Sequence, residues 1–266
     1  MFRVKGNRGL SCAAMTWRKT YDNPEPQRVN KWLAQQGVCS RREAEALIAE
    51  GKVRINGERV DDPGRKIEIG QTLELDDGGA PAAFTAVLNK PVNYVSSQPE
   101  KDQAPAARLL TSANRVGAGE TPSRHASLAP LGRLDQDSRG LLLLSEDGVL
   151  AKALVGPDSK LDKEYLVRVS GQVTNKKLAL LRHGLELDDR KLKPAKIAMI
   201  EPQRLRFILQ EGRKRQIRRM CELVDLGVTD LQRIRIGPLK LGDLPEGKWR
   251  RLSPVERTAL IDASRD

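Results

Sequence analysis

The stretch Gly132–Gly148, GRLDQDSRGLLLLSEDG, sets four consecutive leucines between acidic residues. Three kinds of structure use such a pattern. Asp135, Asp137, Gly140 and Glu146 fall at the spacing of a calcium-binding loop. Arg139, however, stands where that loop needs an oxygen ligand, and a cation there repels the ion. Pro130 and Gly132 also break the helix that would have to precede it. A buried strand over Leu141–Leu144 fits better. Asp147-Gly148 is then a turn, and Gly140 lets another backbone come close. Gly132-Arg133-Leu134-Asp135 is left without a role. A carboxylate just ahead of a core strand is either a turn former or a functional group at a sheet's end, and the residues alone do not choose.

On both sides of this stretch, strands dominate. Ala86–Asn89 reads as a buried strand ended by Lys90-Pro91. KEYLVRVSG (163–171) and RLRFILQEG (204–212) alternate with a period of two. In KRQIRRMCELVDLG (214–227), Ile217, Met220, Cys221 and Val224 recur at helical spacing. On a helix starting near Arg215, Arg218 and Arg219 lie on its face and repel it unless an anion intervenes. Ser97–Pro130 is rich in Ala, Pro, Ser and Gly and reads mainly as loop, with a helical piece at Ala106–Leu110. Strands mixed with few helices indicate an α+β domain over residues 85–266.

Upstream, residues 27–77 form a smaller unit. Val29, Trp32 and Leu33 mark one helix, broken at Gly37. Ser40 and Glu43 predict a capping box for a second, with Ala44, Leu47 and Ile48 on its apolar face and Gly51 ending it. Val53 and Ile55 alternate before Asn56-Gly57, a hairpin turn signal. IEIGQTLELD closes the unit near Asp76, and residues 78–84, which overlap DDGGAPAA (76–83), form a linker. Residues 1–26 read as a basic, disordered extension. Its apolar part, Leu10–Met15, is too short for a signal-peptide core, and Met15 is a candidate start.

The chain has 266 residues, with 47 Lys and Arg against 35 Asp and Glu, a net charge of +12. This excess favours a polyanionic partner, because each neutralised phosphate releases counterions. No run of about 18 apolar residues predicts a membrane span. Cys12, Cys39 and Cys221 are scattered and unpatterned, which fits a reducing cytoplasm. With only His125 and His183 beside them, no zinc spacing arises.

These residues carry a resemblance. VCSRREAEALIAEGKVRINGERV (38–60) resembles the small RNA-binding domain of S-four-like ribosomal proteins. GRLDQDSRGLLLLSEDG resembles the second motif of pseudouridine synthases, in the branch that modifies ribosomal RNA and carries such a domain. VLNKPVNYVSS resembles the first motif, KEYLVRV the tyrosine motif, EGRKRQIRRMCELV the third, and LQRIRIGPLKLGDLPEGKWRRL the closing segment. The order is the family's, over roughly residues 28 to 256, and RQIRRMCE leans toward the F-type enzymes of large-subunit ribosomal RNA.

The resemblance implies an S-four-like domain followed by a catalytic domain with a mixed, mainly antiparallel sheet. It implies isomerisation of uridine to pseudouridine in 23S ribosomal RNA, without cofactor or metal, by a cytoplasmic monomer. Small-subunit or transfer RNA substrates, and a non-catalytic RNA-binding assembly factor on the same fold, stay open. Asp135 becomes the essential carboxylate, Arg218 its paired cation and Tyr165 the ring stacked on the uracil. From the residues alone Tyr165 also reads as a core tyrosine, and Arg218 as a phosphate contact. Arg133 takes the space of the flipped-out base. Arg215 and Arg219 hold the substrate, with Ile217 and Ile236 as apolar walls. Arg28, Lys31, Arg41, Arg42, Lys52 and Arg54 in the small domain, with Arg213 and Lys214, contact RNA. Lys90-Pro91 is a structural turn near the site.

Overall fold

The computed structural model describes residues 15–36, 38–39, 41–76, 83–97, 99–100, 102–123, 126, 128–156, 159–183 and 185–265. The chain divides into two compact units, Met1–Ala83 and Phe84–Asp266.

In the first unit, strand β1 (Met15–Thr20) is followed by helices α1 (Val29–Gln35) and α2 (Arg41–Ala49), then β2 (Val53–Ile55) and β3 (Thr72–Asp76). The sheet order is β1, β3, β2 and the short strand Glu58–Arg59. The apolar spacing read from the sequence buries Val29, Trp32, Leu33, Ala44, Leu47 and Ile48 against Val53, Ile55, Leu73 and Leu75. Asn56 and Gly57 both have positive φ, 51° and 84°, as a tight hairpin turn requires. The Ser40 cap lies outside the described residues.

The reading of residues 1–26 as a disordered extension is corrected over Met15–Tyr21. β1 pairs antiparallel with β3, Trp17 opposite Leu75 and Thr20 opposite Thr72. Tyr21 is buried and packs edge-on to Trp32 at 5.2 Å, as Trp17 does at 5.8 Å. One tryptophan in a basic hexapeptide is too little pattern to reveal a strand; the aromatic packing holds it.

In the second unit a nine-stranded sheet carries the site. Its long members are β4 (Thr85–Lys90), β5 (Arg139–Ser145), β6 (Lys163–Ser170), β7 (Lys196–Glu201), β8 (Arg204–Leu209), β9 (Gly227–Ile236) and β10 (Trp249–Arg251). They lie in the order β7-β8-β6-β9-β5-β4-β10. Every junction is antiparallel except β5 with β9, which pair parallel at Arg139 opposite Gln232 and Gly140 opposite Arg233.

The leucine run is central and buried on both faces. Leu142 and Leu144 enter one core, with Ile217, Met220 and Trp249; Leu141 and Leu143 enter the other, with Leu150, Leu154 and Leu260. A strand covered on both sides reads as an unbroken apolar run. Helices α3 (Gly148–Val155) and α6 (Pro254–Ala263) supply the second core's cover. Helices α4 (Asn175–Arg182) and α5 (Gln216–Glu222) supply the first's.

Asp147-Gly148 is therefore not a turn between strands. Asp147 caps α3, accepting from the backbone N–H of Val149 and Leu150 at 3.0 and 2.9 Å. Gly140 acts as expected. Its φ is +104°, and a Cβ there would stand 2.3 Å from the Arg233 carbonyl oxygen, so the parallel junction needs a glycine. The long loop between the first two motifs is stitched to β10. Trp249 Nε1 donates to Thr111 O at 2.8 Å and Lys248 Nζ to Ala113 O at 3.1 Å.

Candidate active site

Asp135 stands on the turn that feeds β5, and its neighbours fix that turn. Ser96 Oγ donates to Leu134 O at 2.6 Å and accepts from Leu134 N at 2.9 Å, both inside the protein. Asn93 N donates to Gln136 O at 2.8 Å, and Ser138 N closes the turn onto Asp135 O at 3.1 Å. The segment after Lys90-Pro91 thus grips the backbone on both sides of the carboxylate. Ser96 was not legible as a site residue, because a serine in a loop gives no sign of where its hydroxyl points.

Arg218 comes to this turn, but not as the sequence suggested. Its Nη2 donates to Asp137 O at 2.7 Å and to Ser138 Oγ at 3.4 Å, and Nη1 to Val228 O at 3.2 Å. Nε lies 3.2 Å from Asp137 Oδ2 without hydrogen-bond geometry. Arg215 Nη2 donates to the same Oδ2 at 3.0 Å. The anion between the clustered arginines is therefore Asp137, not Asp135. Burial works to raise the Asp137 carboxyl, and the Arg215 hydrogen bond with the Arg218 and Arg215 charges outweighs it, holding it below the usual range. Among the described residues, no hydrogen bond or ion pair engages the Asp135 carboxylate, which is left open to a ligand. Its charge still acts on Arg215 and on Lys90.

Lys90 is more than a turn residue. It is fully buried, with Nζ donating to Pro91 O at 2.8 Å and Tyr94 O at 2.7 Å. Burial pushes its pKa down to about 8, against the pull of Asp137, Asp135 and Glu246.

A cavity of about 440 Å³ opens in front of Asp135, lined also by Arg133, Tyr165, Lys214, Arg215, Lys163 and Arg233. A smaller one of about 100 Å³ adjoins it and shares Arg133, Asp135, Tyr165 and Arg215, adding Ile217 and Arg218. Tyr165 is buried on β6 with its ring between core and cavity. The fold thus brings together Arg133, Asp135, Tyr165, Lys214, Arg215, Ile217 and Arg218 from segments far apart in sequence. Lys163 and Arg233 join them unforeseen, since a lysine and an arginine on strands read as solvated edges.

Two expected residues stand elsewhere, and a third lines the site but is already engaged. Arg219 forms a bidentate pair with Asp188 at 2.7 and 3.0 Å and lines neither cavity. Arg213 lines both, but its guanidinium is tied to the carbonyls of Leu187 and Lys191 at 2.7 and 2.9 Å, which stiffens the hairpin there. Ile236 is fully buried with Leu141 and Leu143, so it is core and not a wall. In the first unit, Arg54 pairs with Asp76 at 3.1 Å and Lys52 with Glu50 at 2.6 Å. Arg28, Lys31, Arg41 and Arg42 are exposed, and no ion pair among the described residues engages them. Asp137, part of the calcium-loop spacing, and Arg139, which breaks it, are both in ion pairs; Arg139 grips Asp230 through a bidentate pair at 2.8 Å.

Comparison with known proteins agrees with this arrangement. The family model of RNA pseudouridylate synthase matches residues 85–223, and that of the S4 domain residues 27–73. An uncharacterized RNA pseudouridine synthase of Aquifex aeolicus is 37% identical over 246 residues, 89% of this chain and 94% of the relative. The dual-specificity RNA pseudouridine synthase RluF of Escherichia coli is 33% identical, over 88% of this chain and 77% of its own length. The ribosomal large subunit pseudouridine synthase B of Bacillus subtilis is 34% identical, over 86% and 93%. A crystal structure of a pseudouridylate synthase superposes with a TM-score of 0.61 at 27% identity, covering 88% of this chain and 99% of that one. With its buried strand, the carboxylate turn ahead of it and the S4 domain upstream, this chain belongs to the RNA pseudouridine synthases.

Proposed function

We propose that the protein isomerises uridine in ribosomal RNA of the large subunit, with Asp135 as its essential carboxylate. The observation that carries this reading is the open Asp135 carboxylate between Arg133 and Tyr165, at the mouth of a strongly basic cavity. The reaction breaks the bond from ribose C1′ to uracil N1 and forms one from C1′ to C5. A proton leaves C5 and one is gained at N1, so nothing is oxidised or reduced. Attack at C1′ and removal of a ribose proton both need an ionised carboxylate with no competing partner. Asp135 has no competing partner among the described residues, and Asp137 has two.

Tyr165 supplies a ring face for the uracil. The base must leave its helix first, and exposed Arg133 fills the space it vacates. Arg218 and Ser96 are positioning residues, holding the 134–138 turn so that Asp135 reaches the nucleoside. Arg215 and Lys214 hold phosphates at the rim, and Arg28, Lys31, Arg41 and Arg42 recruit the RNA. The names of the relatives in Escherichia coli and Bacillus subtilis support an RNA, and for the latter a large-subunit, substrate. Cytoplasmic action as a monomer follows as part of this reading.

Pseudouridine mapping in ribosomal RNA tests it. One site is expected to disappear in a deletion strain, to return with the wild-type gene and to stay absent with Asp135→Asn. Purified Asp135→Asn protein is expected to bind RNA and melt as wild type does. An unchanged map in the deletion strain, together with no modification of large-subunit transcripts in vitro, sinks the proposal.

A further inference from the structure

We infer that the part of the 440 Å³ cavity bounded by Gly132, Ser159, Lys163 and Arg233 is a phosphate site, which takes a phosphodiester of the RNA strand beside the target uridine. The inference rests on the reading of the chain as an RNA-uridine isomerase. Arg233 is only 1% exposed, and no carboxylate among the described residues pairs with it. Its Nε and Nη2 donate to the carbonyls of Leu141 and Gly132, both at 2.8 Å. Those dipoles aim the guanidinium without neutralising it, whereas a buried arginine is normally paired with an anion.

Lys163 faces the same cavity with equally little compensation. Among the described residues its Nζ reaches only the carbonyl of Leu161, at 3.3 Å. Burial first, and then the nearby Arg233 charge, hold its ammonium below the ordinary lysine range, against the pull of Asp162. Ser159 Oγ, also on the wall, is buried and has no hydrogen-bond partner among the described residues. Two like charges and an idle hydroxyl in one cavity are each relieved by one multi-oxygen anion. The carboxyl end of α3 opposes such an anion with about half a charge, less than the two full cations.

Position selects the RNA chain as the source. Lys163 and Tyr165 alternate onto one side of β6, about 7 Å apart along the strand. A single nucleotide can therefore set its base against Tyr165 and a neighbouring phosphate against Lys163 and Arg233.

The test is binding, measured with the full-length Asp135→Asn protein so that turnover plays no part. The probes are a short oligouridylate and inorganic phosphate. Adding Lys163→Met is expected to weaken oligouridylate binding about tenfold and to lower the slope of log Kd against log salt by about 0.7, the share of one single-strand phosphate. Its Tm is expected to equal or exceed the parent's, because an unpaired, half-buried charge has gone. Ser159→Ala, which removes only a hydroxyl, is expected to weaken binding two- to threefold with the fold intact, and serves if the lysine variant is unstable. Unchanged affinity and slope in both variants overturns the site. If phosphate raises the parent's Tm while oligouridylate binding ignores both substitutions, the anion is a free phosphate and the assignment to RNA is overturned. Absence of pseudouridine formation bears on the isomerase reading alone, since binding is read without catalysis.

Discussion

The Arg218 guanidinium directs its donors to a backbone carbonyl of β9, a carbonyl of the Asp135 turn and the Ser138 hydroxyl. Its charge faces Asp137, so its geometry, not its charge, bears on Asp135. Arg218→Lys keeps the cation and loses the fork. We expect kcat to fall about 100-fold, the usual consequence of misplacing a reacting group by about 1 Å. RNA affinity should stay within about twofold, and stability should drop by about 1–3 kcal/mol from the buried acceptors left unpaired. Single-turnover rates beside equilibrium binding separate these effects; a rate within twofold of wild type rules out the positioning role. The motif around Asp135 singled out the carboxylate and Arg133, and KEYLVRV singled out Tyr165; the fold brings all three to one cavity. The residue that receives Arg215 and Arg218 was not legible in the sequence, because the bonds to the Asp137 carboxylate and to its backbone carbonyl close over 78 and 81 residues, and nothing local distinguishes Asp137 from Asp135.

At the scale of elements, the strands were legible because two-sided burial of β5 and alternation in β6 and β8 leave a mark in composition. The helices were harder. α3 begins at Asp-Gly, a sequence that also makes turns, and only the Asp147 side chain on two backbone amides distinguishes the cap. α5 begins one residue later than the arginine pattern suggested, because Arg215 adopts φ 53° and ψ 31°. That left-handed conformation costs about 1–2 kcal/mol for a residue with a Cβ, of which the half-exposed ion pair with Asp137 returns only a part. α6 opens with a capping box: Ser253 Oγ accepts from Glu256 N, and Glu256 accepts from Ser253 N at 3.0 Å. Arg250 adds a bidentate pair at 2.7 and 2.8 Å. The Arg250 hydrogen bond, outweighing desolvation and helped by Ser253, pulls the Glu256 pKa from 4.5 to about 2. A depressed carboxyl stabilises the fold above its unfolded pKa and loses that contribution as pH falls toward the folded value. Glu256→Gln should therefore cost about 1 kcal/mol at pH 7, after allowance for solvent screening. The gap should shrink between pH 4.5 and 2. Urea midpoints of both proteins at pH 7, 4.5 and 3 check this; a gap that does not change with pH removes the ionic share.

For the whole molecule, the question is how a +12 chain divides its charge between two units. In the second unit many arginines are in ion pairs or tied to carbonyls: Arg139, Arg213, Arg219 and Arg235 all hold the fold together. Net charge alone therefore overstates the surface offered to RNA there, and the composition could not show which cations were occupied. In the first unit Arg41 and Arg42 sit exposed in the first turn of α2, on the scaffold of Trp32, Leu47 and Ile48 that holds that helix. If they meet phosphates, the double variant Arg41→Ala/Arg42→Ala leaves those phosphates with their counterions. The slope of log Kd against log salt for structured RNA should then fall by about 0.7–0.9 for each phosphate no longer neutralised. Affinity should weaken alike for cognate and unrelated RNA, since phosphate recognition carries no sequence information. KM should rise while kcat at saturating RNA stays at the wild-type value, because neither residue is in the unit that carries Asp135. A salt slope equal to wild type's would show that α2 does not touch RNA; a lower kcat would tie the small unit to the chemical step and not to recruitment alone.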